Sequence, residues 1–281
     1  MAQVLPNLGM TGGLRYDTAI ISAENKDASV DDEVVHAAFV YDGGLSYTPV
    51  DGFKIFTRYG TLFRYPFTDE QASLYGFGSD VLYKDIVPET GYNLEGGLSL
   101  VIDSRVSVHA NLYYMYLRDE IAYNGATFRN ENLDVTRRFG SNAGLTARPL
   151  GFLKLDASYA FVDAAFVAGA NEGKRIPLVP MHSASGSLAF LLPAGLSLGP
   201  TLAYRSDAYE GGDYANALEK VDAYLVYGAQ ARWELESNGQ SLAIQVTAKN
   251  LLDSKYAPLV FYGGYYPADG RSVSISVDYQ Y

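Results

Sequence analysis

The side chains that could do chemistry in this chain are few and scattered. Its three histidines are far apart in sequence and show no metal-ligand spacing, at His36, His109 and His182. They form a metal or haem site only if the fold brings them together, and otherwise they are isolated strand residues. We find no Ser-His-Asp set, no paired carboxylates and no phosphate-binding glycine loop. The sequence therefore predicts no catalytic residue, no metal site and no resident cofactor.

Binding chemistry is better represented, first by basic residues on the polar side of alternating segments. These residues are Arg58, Lys154, Arg232 and Lys249. Aligned along one path, they would suit an anionic chelate. Ion pairing with acidic residues across neighbouring strands is the alternative. The acidic partners available are Asp156, Glu234 and Asp278.

Aromatic residues in the connections are the second binding candidate, because a flat ligand can stack on them. They are Tyr209, Tyr214, Phe261, Tyr262, Tyr265 and Tyr266. The alternative is that they are rim aromatics at a membrane interface. The predicted ligand-binding residues are accordingly Arg58, His109, Lys154, Arg232, Tyr209, Tyr214, Tyr262 and Tyr265.

The element that must position such residues is clearest at residues 271–281. One face of this segment is apolar, with Val273, Ile275, Val277, Tyr279 and Tyr281. The opposite face is polar, with Ser272, Ser274, Ser276, Asp278 and Gln280. Successive side chains of a strand point to opposite sides, and about 10 residues cross a bilayer as a tilted strand. The pattern is typical of the closing strand of an outer-membrane β-barrel.

The same alternation recurs along the chain and predicts about 12 strands. They span 8–20, 36–48, 53–64, 90–102, 106–121, 132–148, 152–166, 179–192, 196–207, 220–235, 240–252 and 271–281. A soluble all-β sandwich or barrel also alternates, but segments of 11–17 residues exceed the usual five or six of soluble strands. We therefore expect an all-β fold, an antiparallel transmembrane outer-membrane β-barrel.

The connections between these segments fall into two classes. Tight turns rich in Gly, Pro, Asn, Asp and Ser lie at 49–52, 102–105, 149–151, 193–195 and 237–240. Longer polar connections lie at 23–35, 66–88, 124–132, 168–176, 208–220 and 253–270. Alternation of the two classes is typical of short periplasmic turns and long extracellular loops.

Composition is compatible with this fold and excludes other classes. No run of 18 apolar residues is present, which excludes a transmembrane helix, and the net charge of −11 argues against a nucleic-acid partner. The chain has no cysteine, which suits a protein that crosses an oxidising periplasm unfolded. The first residues have neither a basic region nor an apolar core, so we expect no signal peptide within this sequence.

Four passages, in order, resemble the barrel of TonB-dependent outer-membrane receptors. The first is Gly-Leu-Arg-Tyr-Asp at 13–17, and the second joins 56–66, which ends in Phe-Arg-Tyr-Pro, to 87–97, which begins Val-Pro-Glu. The third runs from 142–145 through 153–161 to the Ile-Pro-Leu-Val-Pro-Met-His of 176–182. The fourth is Lys-Asn-Leu-Leu-Asp-Ser-Lys-Tyr at 249–256, followed by 265–271.

The resemblance implies an outer-membrane transporter for a scarce nutrient such as siderophore-iron, haem or cobalamin, and not an enzyme. It implies outer-membrane lipid and a metal chelate or other nutrient as partners. It also implies the TonB energy-coupling complex, provided that a plug domain and a coupling motif are supplied elsewhere.

The chain departs from this family in extent, because such receptors have about 22 strands and a plugged lumen. We expect residues 1–281 to be a single β-barrel domain, partial relative to a full receptor and without a plug. Either further strands complete the barrel, or segment 8–20 pairs with 271–281 and closes a smaller one. The smaller barrel would be a passive diffusion channel, or a structural or adhesive barrel.

Overall fold

The computed structural model describes residues 2–5, 7–25, 30–72, 82–125, 127–237 and 239–281. Strands dominate these residues. They are β1 Ala2–Leu5, β2 Leu8–Asn25, β3 Val30–Val50, β4 Phe53–Arg64, β5 Glu89–Ile102, β6 Val106–Arg118, β7 Ile121–Asn124, β8 Arg129–Asn132, β9 Thr136–Leu150, β10 Leu153–Phe166, β11 His182–Leu191, β12 Leu196–Arg205, β13 Tyr224–Ser237, β14 Gln240–Lys249, β15 Leu259–Phe261, β16 Gly264–Tyr266 and β17 Ser272–Gln280.

One antiparallel sheet contains 13 of these strands, in the order β1-β2-β3-β4-β5-β6-β9-β10-β11-β12-β13-β14-β17. The pairs β7–β8 and β15–β16 form separate hairpins within two of the connections. Each predicted strand has a counterpart in the sheet, and the short β1 is additional. The all-β antiparallel prediction is therefore confirmed.

The register between neighbouring strands assigns every residue to one of two faces, because directly opposite residues point to the same side. Leu14 lies opposite Tyr41 on the apolar face, and Arg58 lies opposite Glu95 on the polar face. Nothing in the described residues packs over the apolar face, and Leu14 is 78% exposed. This is the arrangement of a barrel wall whose outer surface contacts lipid.

The turns at one end of the sheet are tight, as predicted. They include 51–52, 103–105, 151–152 and 192–195. At Gly52 the backbone has φ of +80°, and a Cβ would collide with the carbonyl oxygen of Val101. Only glycine can adopt this positive φ without strain and leave room for the Val101 carbonyl oxygen.

The connections at the other end are long, and one prediction about them is wrong. Residues 23–35 were expected to form a connection, but β2 and β3 continue through most of that range, with Ala23 opposite Asp32 and Asn25 opposite Val30. The middle of that range, 26–29, lies outside the described residues, as do 73–81 of the predicted connection 66–88. The segment 65–72 includes the single-turn helix α1, Thr68–Gln71.

The small apolar core lies among the long connections and not within the sheet. Leu82, Ile86, Phe166 and Val260 are each 1% exposed. Leu82 and Ile86 belong to the connection between β4 and β5, Val260 belongs to the connection between β14 and β17, and Phe166 is the last residue of β10.

Both edges of the sheet are open in the described residues. β1 pairs with β2, β17 pairs with β14, and no pairing between β17 and either β1 or β2 is present there. Neither helical segment found in the described residues, α1 or the turn at Pro193–Gly195, has the length for a membrane crossing.

Candidate functional site

The polar face of the sheet is concave between β6 and β17 and lines an open cavity of about 1210 Å³. Part of the connection between β14 and β17, at residues 267–270, lies at its rim. The polar side chains along its floor include His109, Asn142, Ser158, Ser185, Ser187 and Thr201. Their alternation with outward apolar residues places them there, since each strand sends every second side chain to this face.

Small side chains make this cavity possible. Gly144 lies directly opposite His109, and a Cβ at Gly144 would overlap the imidazole ring. Ser158 Oγ lies 2.7 Å from Ser185 Oγ, so the hydroxyls bond to one another across β10 and β11. The cavity wall is therefore hydroxyl-rich and offers both donors and acceptors to a polar ligand.

The predicted basic residues all lie on the polar face, but three of them already have carboxylate partners. Lys154 Nζ lies 2.9 Å from Asp156, and Arg232 Nε lies 3.3 Å from Glu234. Both pairs form between residues two apart on one strand, and not across neighbouring strands as expected.

Arg58 also forms an ion pair, with a partner that the sequence had not indicated. Its NH2 group lies 3.2 Å from Asp42 Oδ2, in a separate concavity of about 350 Å³. Lys249 borders the large cavity and has no ion pair with the described residues. The four basic residues therefore do not converge on one point, and a ligand-binding role for them remains a prediction.

The three histidines lie in three different environments. His36 is buried beneath α1, with Nε2 3.0 Å from Gln71 Oε1. His109 borders the cavity, whereas His182 lies on the apolar face with Nδ1 2.7 Å from the hydroxyl of Tyr159. The fold does not bring the three rings together.

The predicted loop aromatics have unequal roles. The Tyr262 hydroxyl accepts the Gly125 N–H at 2.8 Å and donates to the Tyr123 carbonyl at 3.3 Å. It therefore joins two hairpins that are more than 130 residues apart in sequence. Tyr265, in contrast, is 73% exposed and available to a ligand.

Tyr214 and Tyr209 lie in the connection between β12 and β13. The Tyr214 ring packs edge-on against Phe166, with 6.1 Å between centroids. Burial raises the pKa of Tyr214 to about 12, with smaller contributions from Tyr262 and Glu120. The ring of Tyr209 faces the Lys220 ammonium at 5.3 Å. Tyr214 is therefore a packing residue that stays protonated at neutral pH.

An ion-pair cluster around Arg64 fixes the base of the connection between β4 and β5. Arg64 NH2 lies 2.6 Å from Glu89, and Arg64 NH1 lies 2.7 Å from Glu70. Glu89 also accepts the Ile121 N–H at 2.8 Å, which ties this connection to the next one. The cluster is half-buried, so its geometry is held more firmly than that of an exposed pair.

The remaining connections are linked in series by backbone groups and amides. The Asn132 amide oxygen accepts the Val87 N–H at 2.8 Å, and the Asn216 amide donates to the Arg175 carbonyl at 3.0 Å. The Gly211 N–H donates to the Val260 carbonyl at 2.9 Å. These contacts could not be predicted from the sequence, because residues in polar connections do not follow the alternating pattern that marks the strands.

A sequence model of the family described as "TonB dependent receptor-like, beta-barrel" matches residues 2–251 of this chain. Among solved structures, the chain resembles the ferric-catecholate import receptor Fiu of E. coli K12 in its closed form, with 18% identity and a TM-score of 0.76 over 99% of this chain and 43% of that one. It resembles the siderophore receptor PiuA of Acinetobacter baumannii with 20% identity and a TM-score of 0.76, over 98% of this chain and 41% of that one. It resembles the copper transporter OprC with 19% identity and a TM-score of 0.78, over 99% of this chain and 46% of that one.

The chain thus spans less than half the length of these structures. The sheet with one apolar and one polar face has the architecture of their barrels, and the family match covers most of the sequence. The chain is located in the bacterial outer membrane. The chain belongs to the family of TonB-dependent receptor-like β-barrels.

Proposed function

We propose that this chain forms part of the barrel wall of an uptake receptor for a scarce nutrient, such as siderophore-iron, haem, cobalamin or another metal complex. In the full-length protein, the TonB complex would supply the energy. The observation that carries the proposal is the hydroxyl-lined cavity of about 1210 Å³ on the polar face, with interlocked connections at its rim. A large polar ligand needs both a wide lumen and loops that capture it.

The open edges support a larger barrel that is completed by other strands. Each backbone group left unpaired in hydrocarbon costs several kcal/mol, so an edge strand that crosses lipid needs a partner. Within the described residues, β17 pairs with β14 on one side and has no partner strand on the other. Residues 1–281 are on this proposal a single domain that is partial relative to the whole barrel, with a plug supplied elsewhere.

The similar structures support the class of ligand. Their names describe ferric-catecholate import, a siderophore receptor and copper transport, all of which concern metals or metal complexes. In this chain, Tyr265 and Tyr209 are the loop aromatics we assign to first contact with the ligand. Arg58, His109, Lys154 and Arg232 would contact it within the lumen, and Tyr214 and Tyr262 would hold the loops in position.

The test is uptake by cells that express the full-length protein from its own gene. We expect saturable accumulation of a labelled ferric siderophore or copper complex, lost when the gene is deleted and lost when an uncoupler collapses the proton gradient. Tyr265→Ala should weaken ligand binding about tenfold or more, the loss expected of an aromatic stacking residue. Phe128→Ala, which exchanges another exposed aromatic in a different connection, is the matched control.

Two other results would contradict the proposal. Flux that rises linearly with solute concentration and ignores the uncoupler would indicate a passive channel. Surface binding of a ligand or a host surface without any accumulation would indicate a structural or adhesive barrel.

A further inference from the structure

A belt of aromatic rings crosses the apolar face towards its long-connection end. Tyr41 lies 6.1 Å from Tyr59, Tyr59 lies 5.8 Å from Tyr92, and Tyr92 lies 5.4 Å from Tyr116, all between ring centroids. Tyrosine rings concentrate at the boundary between hydrocarbon and head groups. The belt therefore marks the level of the head groups on the side of the long connections, which is the outer leaflet.

Three arginines continue the belt on the same face. The Arg118 guanidinium lies over the Tyr116 ring, with Cζ 5.5 Å from its centroid. Arg137 lies directly opposite Tyr116 in the register. Ala165 lies opposite both Arg137 and Arg175, so Arg175 points to this face as well. We call Arg118, Arg137 and Arg175 the arginine row.

The arginine row carries more positive charge than its neighbours neutralise. Arg137 NH1 lies 2.8 Å from Asp163 Oδ2, and Arg175 NH2 lies 3.6 Å from Asp163 Oδ1. Arg118 has no ion pair with the described residues. Three guanidinium groups and one carboxylate leave a net charge of +2 on this patch, in a chain whose total is −11. Arg58, Lys154 and Arg232 on the polar face instead pair one carboxylate each.

Arg137 and Arg175 are held in place and do not extend freely into water, whereas Arg118 is exposed and rests on the Tyr116 ring. The side chains of Arg137 and Arg175 are 31% and 27% exposed. Arg175 also donates to the Val162 carbonyl at 3.4 Å. A planar guanidinium matches two phosphate oxygens at once, and a fixed one loses less freedom on binding. At the level of the head groups, the anion available to such a row is a lipid phosphate.

We propose that the arginine row is a binding site for the phosphate group of an outer-leaflet lipid. The lipid's acyl chains would lie along the apolar face below, and the aromatic belt would set the depth of the head group. The site follows from membership of an outer-membrane family and from the described geometry. It does not depend on which nutrient the receptor imports.

The test uses native mass spectrometry on the full-length protein, exchanged into detergent and supplied with a phosphorylated outer-leaflet glycolipid or with the same lipid after removal of its phosphates. We expect the wild type to retain the phosphorylated lipid selectively. Removal of all three charges in R118Q/R137Q/R175Q should weaken retention about fivefold for each arginine. The matched control K54Q/K220Q/K255Q removes three charges elsewhere and should retain the lipid as the wild type does.

A folding defect can be separated from a loss of the site by a single change. Arg118→Gln leaves no carboxylate unpaired among the described residues, so the protein should fold, as judged by its faster gel migration before boiling, and should retain about fivefold less lipid. Equal retention of the phosphorylated and dephosphorylated lipids would show that apolar contact alone is responsible. Unchanged retention by folded R118Q protein, or no lipid on the wild type, would equally overturn the site.

Discussion

At the scale of single residues, the hydrogen bond between Tyr262 and Gly125 is the contact whose loss should be easiest to measure. Tyr262→Phe keeps the ring against Phe261 and removes only the hydroxyl that accepts the Gly125 N–H at 2.8 Å. A hydrogen bond of this kind contributes about 1 kcal/mol net, so amide hydrogens of the β7–β8 hairpin should exchange about fivefold faster. Tyr265→Phe removes a hydroxyl from an exposed ring and is the control. Equal exchange in both variants would mean that Tyr262 does not hold the two hairpins together.

Glu131 gives the same hairpin a dependence on pH. Hydrogen bonds from the Asn124 amide at 2.8 Å and the Thr127 hydroxyl at 2.7 Å hold the pKa of Glu131 below its ordinary 4.5. A lowered pKa in the folded state means that the stabilisation is complete above about pH 4.5 and is lost as pH falls through the folded value.

The hydrogen exchange of residues 121–132 should therefore be constant relative to the intrinsic rate down to about pH 4.5, and should accelerate below it. Glu131→Gln should flatten this dependence, because an amide does not titrate in this range. A wild-type profile that stays flat to pH 3 would show that the carboxylate does not stabilise the hairpin.

At the residue scale, the sequence predicted the kind of contact better than its geometry. Ion pairing of the basic residues was expected across neighbouring strands, but Lys154 pairs with Asp156 of its own strand at 2.9 Å, because residues two apart on a strand share a face. The contact between Tyr262 and Gly125 could not be predicted, because it depends on how two connections fold towards each other. The ligand-binding roles of the predicted residues are not settled by their placement.

At the scale of elements, the accuracy of the sequence prediction depends on where each segment lies relative to lipid. Within the hydrocarbon, every second residue must be apolar, so alternation marks the strands. Beyond the hydrocarbon, that requirement disappears. Asp31, Asp32 and Glu33 occupy both faces of β3, and this polar stretch therefore looked like a connection although it pairs with β2.

The tight turns are also specified by single residues, and Gly195 provides a test. Its φ is +74°, and a Cβ would overlap the carbonyl oxygen of Glu234. Gly195→Ala should therefore destabilise the β11–β12 turn by at least about 1–2 kcal/mol. The measurement is the folded fraction of the full-length protein, from gel migration before and after boiling over a urea series.

The control is another glycine in a tight turn. A Cβ at Gly151 would meet nothing within 4 Å, so Gly151→Ala should leave the midpoint in urea unchanged. A shift of equal size in both variants would mean that turn flexibility in general matters, and not the clash at Gly195.

At the scale of the whole molecule, stability is divided between two places. The sheet has no second layer over its apolar face in the described residues, so lipid must cover that face. The connections instead contain their own core, in which Phe166 and Val260 are 1% exposed. We therefore expect the loop layer to resist proteolysis as a unit, while the strands depend on the membrane.

The two faces can be distinguished by adjacent substitutions in the middle of β17. Ile275 lies opposite Val246 on the apolar face and is 69% exposed, whereas Ser276 lies opposite Gln245 on the polar face. An arginine in contact with lipid near the bilayer centre costs about 2–4 kcal/mol, whereas one in a water-filled lumen costs little. Ile275→Arg should therefore lower the yield of folded full-length protein in the outer membrane, and Ser276→Arg should leave it near that of the wild type. If Ser276→Arg were the more damaging change, the polar face would be the covered one, and the orientation of the sheet in the membrane would have to be reversed.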